Sequence, residues 1–176
     1  MAAVIDYLDD VEIGLCLKIN RLGQRSWVRN FFAVISRLGD WYFYAGMAVV
    51  LFALQGASAG PKLLGILLAA GVGLAIYKVL KACLVRERPF VHNGTIACGT
   101  APLDKYSFPS GHTLHAVSFT IMFANAEPAL MMICAPFAVL VALSRVILGL
   151  HYPSDVLVGA GIGASIATVA VNLAAW

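Results

Sequence analysis

Five long apolar stretches limit what this 176-residue chain can fold into, and they cover about residues 41–57, 63–80, 112–126, 129–149 and 156–175. A helix needs roughly 20 mostly apolar residues to cross the hydrocarbon core of a bilayer, and these stretches reach or approach that length. Only 12% of the residues are charged, whereas a soluble domain carries about a quarter. The sequence therefore predicts an all-α, multi-pass transmembrane helical bundle that forms a single membrane domain over 1–176.

The first forty residues differ from the remainder because charges of both signs alternate with scattered apolar positions. This pattern is typical of amphipathic helices that lie at the membrane interface. A sixth span through 26–38 would carry Arg29 and Arg37 into the bilayer, which is costly. We therefore expect an interfacial amphipathic region over 1–40 and a helical bundle over 41–176, with five spans in total, or six if 26–38 also crosses. The N-terminus lacks the basic and apolar regions of a signal peptide, so no cleavable leader is expected.

The polar residues of the predicted bundle collect at one face of the membrane. Successive spans cross in opposite directions, so the ends of the second and fourth stretches lie on the same side as the starts of the third and fifth. These four points fall near Lys81, Gly111, Arg145 and Asp155. The opposite side offers little charge beyond Lys62 and Glu127. The sequence therefore predicts that any chemistry takes place at a single face.

The residue types at this face suit an anionic ligand. Arginine binds phosphate oxygens through paired N–H groups, and Arg88, Arg145 and Lys81 would together supply three positive charges. The segment from Pro109 to His112 would place backbone amides at a helix N-terminus, where free N–H groups and the helix dipole attract anions. Gly111 would let that backbone approach the ligand closely. This pattern indicates a phosphate-binding site.

A histidine and an aspartate at the same face indicate catalysis as well as binding. His151 and Asp155 are four residues apart, so a carboxylate can hold the imidazole in the tautomer that a nucleophile requires. Basic residues that merely extend toward the interface would explain the lysine and arginines. They would not explain a Ser-Gly-His segment beside a His-x3-Asp segment.

Three ordered motifs in this region resemble those of the type 2 phosphatidic acid phosphatase family. They are KACLVRERP with Lys81 and Arg88, PSGH from Pro109 to His112, and SRVILGLHYPSD with Arg145, His151 and Asp155. The resemblance covers 81–155 and agrees with the family in order and internal spacing. This superfamily also contains bacterial acid phosphatases and vanadium haloperoxidases, and the membrane architecture and small size disfavour the latter.

The resemblance implies a role for each of these residues in a metal-free phosphatase. His151 would attack phosphorus to form a phosphohistidine, and Asp155 would orient it and stabilise its charge. His112 would protonate the leaving oxygen and then activate the water that hydrolyses the intermediate. The phosphoryl oxygens would be held by Lys81, Arg88, Ser110, Gly111 and Arg145. No cofactor is expected, and the sequence agrees because it lacks the clustered carboxylates of a magnesium site.

The expected substrate is a phosphate monoester or diphosphate of a lipid whose tail lies between helices. In bacteria the resemblance suggests undecaprenyl diphosphate or phosphatidylglycerol phosphate, with phosphatidate and lipid A 1-phosphate as further options. A lipid-to-lipid phosphotransferase and a non-catalytic lipid-binding or transport protein are the alternatives, although a binder has no need of a nucleophile. The basic residues form no stripe interleaved with aromatics, so no nucleic-acid partner is expected. The oligomeric state stays open.

Two arguments bear on which side of the membrane carries the site. The family resemblance favours the periplasmic, outer face of the inner (plasma) membrane. With five spans, however, the positive-inside rule applied to the basic N-terminal region favours the cytoplasmic face. We expect the periplasmic face. A disulfide between Cys83 and Cys98 would be permitted there, because that compartment is oxidising.

Three further residues near the motifs are expected to have lesser roles. Arg86 is interpreted as a lipid headgroup contact or a solvated charge. Asp104 is interpreted as a loop residue that could touch a headgroup. His112 and His115 are three residues apart but lack a third ligand for a metal ion, so His115 is interpreted as a supporting or packing residue.

Overall fold

The computed structural model describes residues 2–174, with side chains described from residue 10 onward. Every regular element in that part is helical, which confirms the predicted all-α class. Its α-helices are α1 (Ala2–Asn20), α2 (Ser26–Leu38), α3 (Tyr42–Gln55), α4 (Ala59–Cys83), α5 (Pro89–His92), α6 (Gly111–Ala126), α7 (Met131–Ile147) and α8 (Pro153–Ala174). Short 3-10 turns occupy Arg21–Gln24, Gly56–Ser58 and Pro128–Leu130.

Within the described residues, three helical segments are long and apolar enough to cross a membrane: Tyr42–Cys83, Pro128–Ile147 and Pro153–Ala174. The first reverses direction at Gly56, whose φ of 60° lies in the left-handed region that glycine adopts readily. On either side of this turn, Gln55 and Lys62 donate to the carbonyl of Ala126, at 2.8 and 3.2 Å. α3 and α4 therefore form a hairpin whose turn meets the end of α6. The number of five or six spans stays a prediction.

α6 lies at the centre of the bundle, where it packs against α3, α4, α7 and α8. Its contact with α8 depends on two glycines. A Cβ at Gly159 would lie 2.5 Å from the carbonyl oxygen of Ser110, and one at Gly163 would overlap the carbonyl oxygen of Leu114. Small residues allow helix backbones to approach this closely. This close approach places the start of α6 beside the start of α8.

α1 and α2 lie against the end of the bundle where α4 and α7 end and α6 and α8 begin. At the end of α1, Asn20 donates to the carbonyls of Ala97 and Ile147, each at 2.9 Å. α2 packs on α7, where Ser36 accepts a hydrogen bond from Arg145. α2 has 13 residues and is not among the segments long enough to cross a membrane.

The two cysteines that border the loop after α4 are not bonded to each other. Cys83 and Cys98 are both free and exposed. The Cys98 thiol donates instead to the carbonyl of Thr100, with its sulfur 3.1 Å from that oxygen. The disulfide considered from the sequence for Cys83 and Cys98 is therefore not present in the structure.

Candidate active site

A cavity of about 220 Å³ opens at the end of the bundle that α1 and α2 cover. It gathers most of the residues predicted from the three motifs, although these motifs come from different helices. Its walls include Lys81, Arg88, Gly111, His112, Arg145 and His151. Asp155 and Ser110 lie behind these walls and do not line the cavity.

His151 lies in the turn between α7 and α8 and is 2% exposed. Its Nδ1 lies 3.4 Å from Oδ2 of Asp155, which is longer than a typical hydrogen bond. Its Nε2 lies 3.3 Å from Nη1 of Arg88. Burial and the positive charges of Arg145 and Arg88 lower the pKa of His151 well below its usual range. These effects favour the neutral imidazole. Because arginine only donates, Nε2 is the acceptor in the pair with Arg88, and Nδ1 has no hydrogen-bond partner among the described residues. A neutral ring therefore carries its hydrogen on Nδ1, and its Nε2 has the lone pair that a nucleophile needs.

Asp155 is fully buried and is held at both of its carboxylate oxygens. Oδ2 accepts the backbone N–H of Tyr152 at 2.9 Å, and Oδ1 accepts from Nη1 of Arg86 at 2.6 Å. The guanidinium of Arg86 also lies over the ring of Tyr152, 3.9 Å from its centroid. The interpretation of Arg86 as a headgroup contact or a solvated charge is wrong, because this side chain is 3% exposed and paired with Asp155.

A second carboxylate, from α1, completes this network. Oε2 of Glu12 accepts from Nη2 of Arg86 at 2.8 Å and from the hydroxyl of Ser154 at 2.6 Å. Oε1 of Glu12 accepts the backbone N–H of Ser154 at 2.7 Å, at the start of α8. The sequence did not indicate this role, because one acidic residue in an amphipathic segment carries no signal of its partner.

Asp104 brings a negative charge to two of the predicted phosphate ligands. Its Oδ1 accepts from Lys81 at 2.5 Å and from Arg88 at 2.7 Å, and its Oδ2 accepts from the hydroxyl of Tyr77 at 2.9 Å. Burial alone would raise the pKa of Asp104, but the bond to Lys81 and the charge of Arg88 outweigh burial and hold this pKa below its usual range. Asp104 is therefore an ionised partner of both cations, a role that the sequence did not indicate.

The two arginines of the cavity differ in how fully their donors are used. Nη1 of Arg88 donates to the carbonyl of Leu150 at 2.7 Å, and Nη2 and Nε donate to Asp104. Nη1 of Arg145 donates to the hydroxyl of Ser36, whereas its buried Nε has no hydrogen-bond partner among the described residues. Arg145 thus keeps a donor for an incoming anion.

Ser110 and Gly111 shape the start of α6. The hydroxyl of Ser110 accepts the backbone N–H of Thr113 at 3.5 Å, so it caps the helix, and it also pairs with the Thr113 hydroxyl at 2.9 Å. Ser110 does not line the cavity. The N–H of Ser110 donates to the backbone carbonyl of Asp155 at 3.1 Å, which joins α6 to α8. A Cβ at Gly111 would lie 3.1 Å from the ring of Tyr77, so glycine permits this contact with α4.

His112, in the first turn of α6, lines the same cavity as His151. Its Nε2 lies 2.7 Å from Oδ1 of Asp40, in the turn between α2 and α3. This hydrogen bond lowers the pKa of Asp40 below its usual range. His115 lines the cavity one turn further along α6, and no third His, Cys, Asp or Glu among the described residues joins the two histidines in a metal-type cluster.

Comparisons with known proteins agree with the family predicted from the three motifs. The family model of the PAP2 superfamily matches residues 62–176. A decaprenylphosphoryl-5-phosphoribose phosphatase of Mycobacterium tuberculosis is 33% identical over 126 residues, which are 68% of this chain and 68% of that protein. An undecaprenyl-diphosphatase of Sulfolobus acidocaldarius is 29% identical over 160 residues, which are 89% of this chain and 75% of that protein. The crystal structure of a transmembrane PAP2-type phosphatidylglycerolphosphate phosphatase from Bacillus subtilis superposes with a TM-score of 0.72 at 25% identity, over 97% of this chain and 86% of that chain.

Replacing Arg86 by methionine should destabilise the protein. The change leaves Asp155 buried without its cation, and removing one partner of a buried ion pair costs about 3–5 kcal/mol. We expect a clear fall in the melting temperature of detergent-purified protein. Arg25→Met is the matched control, because Arg25 is an exposed arginine before α2. Equal melting temperatures for the two variants would contradict the structural role of Arg86.

Proposed function

This chain belongs to the PAP2 superfamily, and on that premise we propose that it is an integral membrane lipid phosphatase that works through a phosphohistidine at His151. The observation that carries the proposal is the cavity itself. A buried histidine, His151, lies there beside Lys81, Arg88 and Arg145, with Asp155 3.4 Å from its Nδ1. Fixed positive charges around a nucleophile stabilise the charge that develops on a phosphoryl group in the transition state.

In the proposed first step, the lone pair on Nε2 of His151 attacks phosphorus, and the bond from phosphorus to the lipid oxygen breaks. Asp155 stabilises the positive charge that the ring acquires, and Arg86 holds Asp155 in place. His112 gives its proton to the departing oxygen. The free lipid leaves, and the phosphoryl group stays on His151.

In the proposed second step, water attacks phosphorus and the phosphorus–nitrogen bond breaks. His112 now takes a proton from the water, so it returns to its starting state as inorganic phosphate is formed. Neither step requires a metal ion or a cofactor. Gly111 contributes by letting the start of α6 border the phosphoryl group, and Ser110 contributes by capping that helix.

The cations of the cavity do not bind a phosphate equally easily. Lys81 and Arg88 already pair with Asp104, so a phosphate must compete with its carboxylate for them. Arg145 has no such competitor, because its described side-chain bond is to the neutral hydroxyl of Ser36. We therefore assign Arg145 the first contact with the substrate phosphate.

An apolar groove joins the cavity and supports a lipid substrate. It lies between α3, α4 and α6, has a volume of about 490 Å³, and shares Asp40, Leu74 and His115 with the cavity. Its apolar wall includes Tyr44, Ile66, Leu67, Phe119 and Phe123. Grooves of this size and lining bind apolar ligands. The phosphate would thus lie in the cavity while the lipid chain lies in the groove.

The names of the relatives support a lipid phosphate as the substrate. Their names describe a decaprenyl phosphoribose, an undecaprenyl diphosphate and phosphatidylglycerolphosphate. These compounds share a terminal phosphoryl group on a molecule with long apolar chains. We propose a monoester or a diphosphate of a polyprenyl or glycerol lipid as the substrate.

For the membrane topology we propose five crossings, by α3, α4, α6, α7 and α8. α3 supports this because Asp40 at its start meets His112, while Gln55 at its end meets Ala126 at the other end of α6. α1 and α2 would then lie at the interface, on the face that carries the site. We assign that face to the periplasmic side of the plasma membrane, as the family resemblance suggests.

The proposal predicts different losses for the two histidines. His151→Ala should abolish turnover on every substrate, since no phosphohistidine forms without the nucleophile. His112→Ala should slow phosphoenzyme formation more on a monoester than on a diphosphate, because a lipid alcohol leaves less readily than a lipid phosphate. General acid catalysis is worth about 10²–10⁴-fold, so a single-turnover assay that traps the phosphoenzyme can resolve this difference.

Three outcomes of this assay would contradict the proposal. Turnover by His151→Ala would show that His151 is not the nucleophile. Equal losses on both substrate classes would mean that His112 positions phosphate and does not act as the acid. A phosphorylated lipid product in place of inorganic phosphate would indicate transfer between lipids.

A leucine at Gly71 should obstruct the groove. Gly71 lines the groove, and a Cβ there would meet no atom within 4 Å, so the position has room for a side chain that extends into the groove. We expect KM to rise roughly tenfold for a long-chain substrate, with little change for a water-soluble phosphate monoester. The matched control is Gly161→Leu on α8, where a Cβ also meets nothing and which is outside the groove. The same KM for both variants would show that the lipid chain lies elsewhere.

A further inference from the structure

We infer that Asp40, in the turn between α2 and α3, is a positioning residue that determines which nitrogen of His112 transfers the proton. Its Oδ1 lies 2.7 Å from Nε2 of His112. Asp40 lies outside the region 62–176 that the family model matches, and none of the three sequence motifs includes it. The inference rests on the proposed function, since it concerns the acid of that reaction.

The packing of α2 holds Asp40 in place. A Cβ at Gly39 would lie 3.0 Å from a methyl group of Val141 and 3.3 Å from the carbonyl oxygen of Ser36. Ser36 is buried and accepts from the guanidinium of Arg145. The last turn of α2 is thus in contact with α7 at two points directly before Asp40. The backbone next to Asp40 is thus fixed by packing, and its side chain, 30% exposed, contacts a His112 side chain that is 12% exposed.

The carboxylate of Asp40 decides which ring nitrogen is free. It can only accept while ionised, so Nε2 of His112 keeps its hydrogen whether the ring is charged or neutral. Nδ1 of His112 has no hydrogen-bond partner among the described residues. Nδ1 is therefore the atom that donates its proton to the leaving oxygen and later accepts one from water. A carboxylate placed in this way both fixes the tautomer and stabilises the imidazolium.

The basic groups around His112 disfavour its protonated form, so a nearby carboxylate matters for its role as an acid. The basic groups that line the cavity with His112 are Lys81 from α4, Arg88 after α4, His115 from α6, Arg145 from α7 and His151 before α8. The positive charges among them, on Lys81, Arg88 and Arg145, oppose protonation of His112. Two carboxylates line the same cavity, and Asp104 is already paired with Lys81 and Arg88. Asp40 is thus the carboxylate that directly contacts the ring of His112.

Asp40→Asn tests this role because it removes the charge and keeps the size of the side chain. A carboxylate favours the imidazolium and raises the pKa of its partner, so its loss should lower that pKa. The alkaline limb of phosphoenzyme formation on a monoester should then move to lower pH. At neutral pH the rate should fall about tenfold or more. The fall should be smaller on a diphosphate, whose leaving group needs less help from an acid.

Two further variants serve as controls. Asp10→Asn alters another aspartate–histidine pair, in which Oδ1 of Asp10 lies 3.9 Å from Nε2 of His92, outside the cavity. It should leave the pH profile unchanged. Asp40→Glu retains the charge and should keep the alkaline limb near its wild-type position, even if its rate is reduced.

The outcomes separate this inference from the proposed function. An unchanged alkaline limb in Asp40→Asn, or equal losses on monoester and diphosphate, would overturn the role of Asp40. If His112→Ala still loses more rate on the monoester than on the diphosphate, only the role of Asp40 is overturned and the proposed function stands. If His112→Ala shows no such difference, the acid assignment itself fails and the inference fails with it.

Discussion

The site depends on the direct contact between the backbones of α6 and α8. Gly159 and Gly163 place no side chain between the two helices, and the N–H of Ser110 donates to the carbonyl of Asp155 across the contact. His112 begins one of these helices, and His151 precedes the other. The relative position of the proposed acid and nucleophile is therefore set by rigid backbone packing, which suits a reaction that depends on alignment.

Buried positive charge is the second constraint, because charges are costly to remove from water unless they are paired. In this structure Asp155 pairs with Arg86, and three carboxylates outside the predicted motifs add to this compensation. Glu12 pairs with Arg86, Asp104 pairs with Lys81 and Arg88, and Asp40 pairs with His112. Through Glu12 and Asp40, the N-terminal region thus contributes to the end of the bundle that carries the proposed active site, in addition to covering it. Arg145 is compensated least, which agrees with its proposed contact to phosphate.

The helices and the family could be predicted from the sequence, whereas the supporting contacts could not. An apolar stretch within a bilayer must satisfy its own backbone hydrogen bonds, which a helix does. The five long apolar stretches therefore indicated α3, α4, α6, α7 and α8. The motifs identified side chains that line one cavity. Their partners were missed because a lone Glu12 or Asp40 in an amphipathic region shows only that the residue is polar. Which distant residue it meets depends on how α1 and α2 dock. Ser110 was predicted to hold the phosphate, but its hydroxyl caps α6 and does not line the cavity.

The central claim is that His151 carries the phosphoryl group, and trapping that intermediate tests it most directly. Protein mixed with a labelled lipid diphosphate in EDTA would be quenched with alkali during turnover and digested, and the labelled peptide would be sequenced by mass spectrometry. We expect an acid-labile phosphate on His151 that forms and decays at least as fast as inorganic phosphate is released. Turnover with no phosphate on His151, a phosphate on another residue, or a strict requirement for magnesium would contradict the claim.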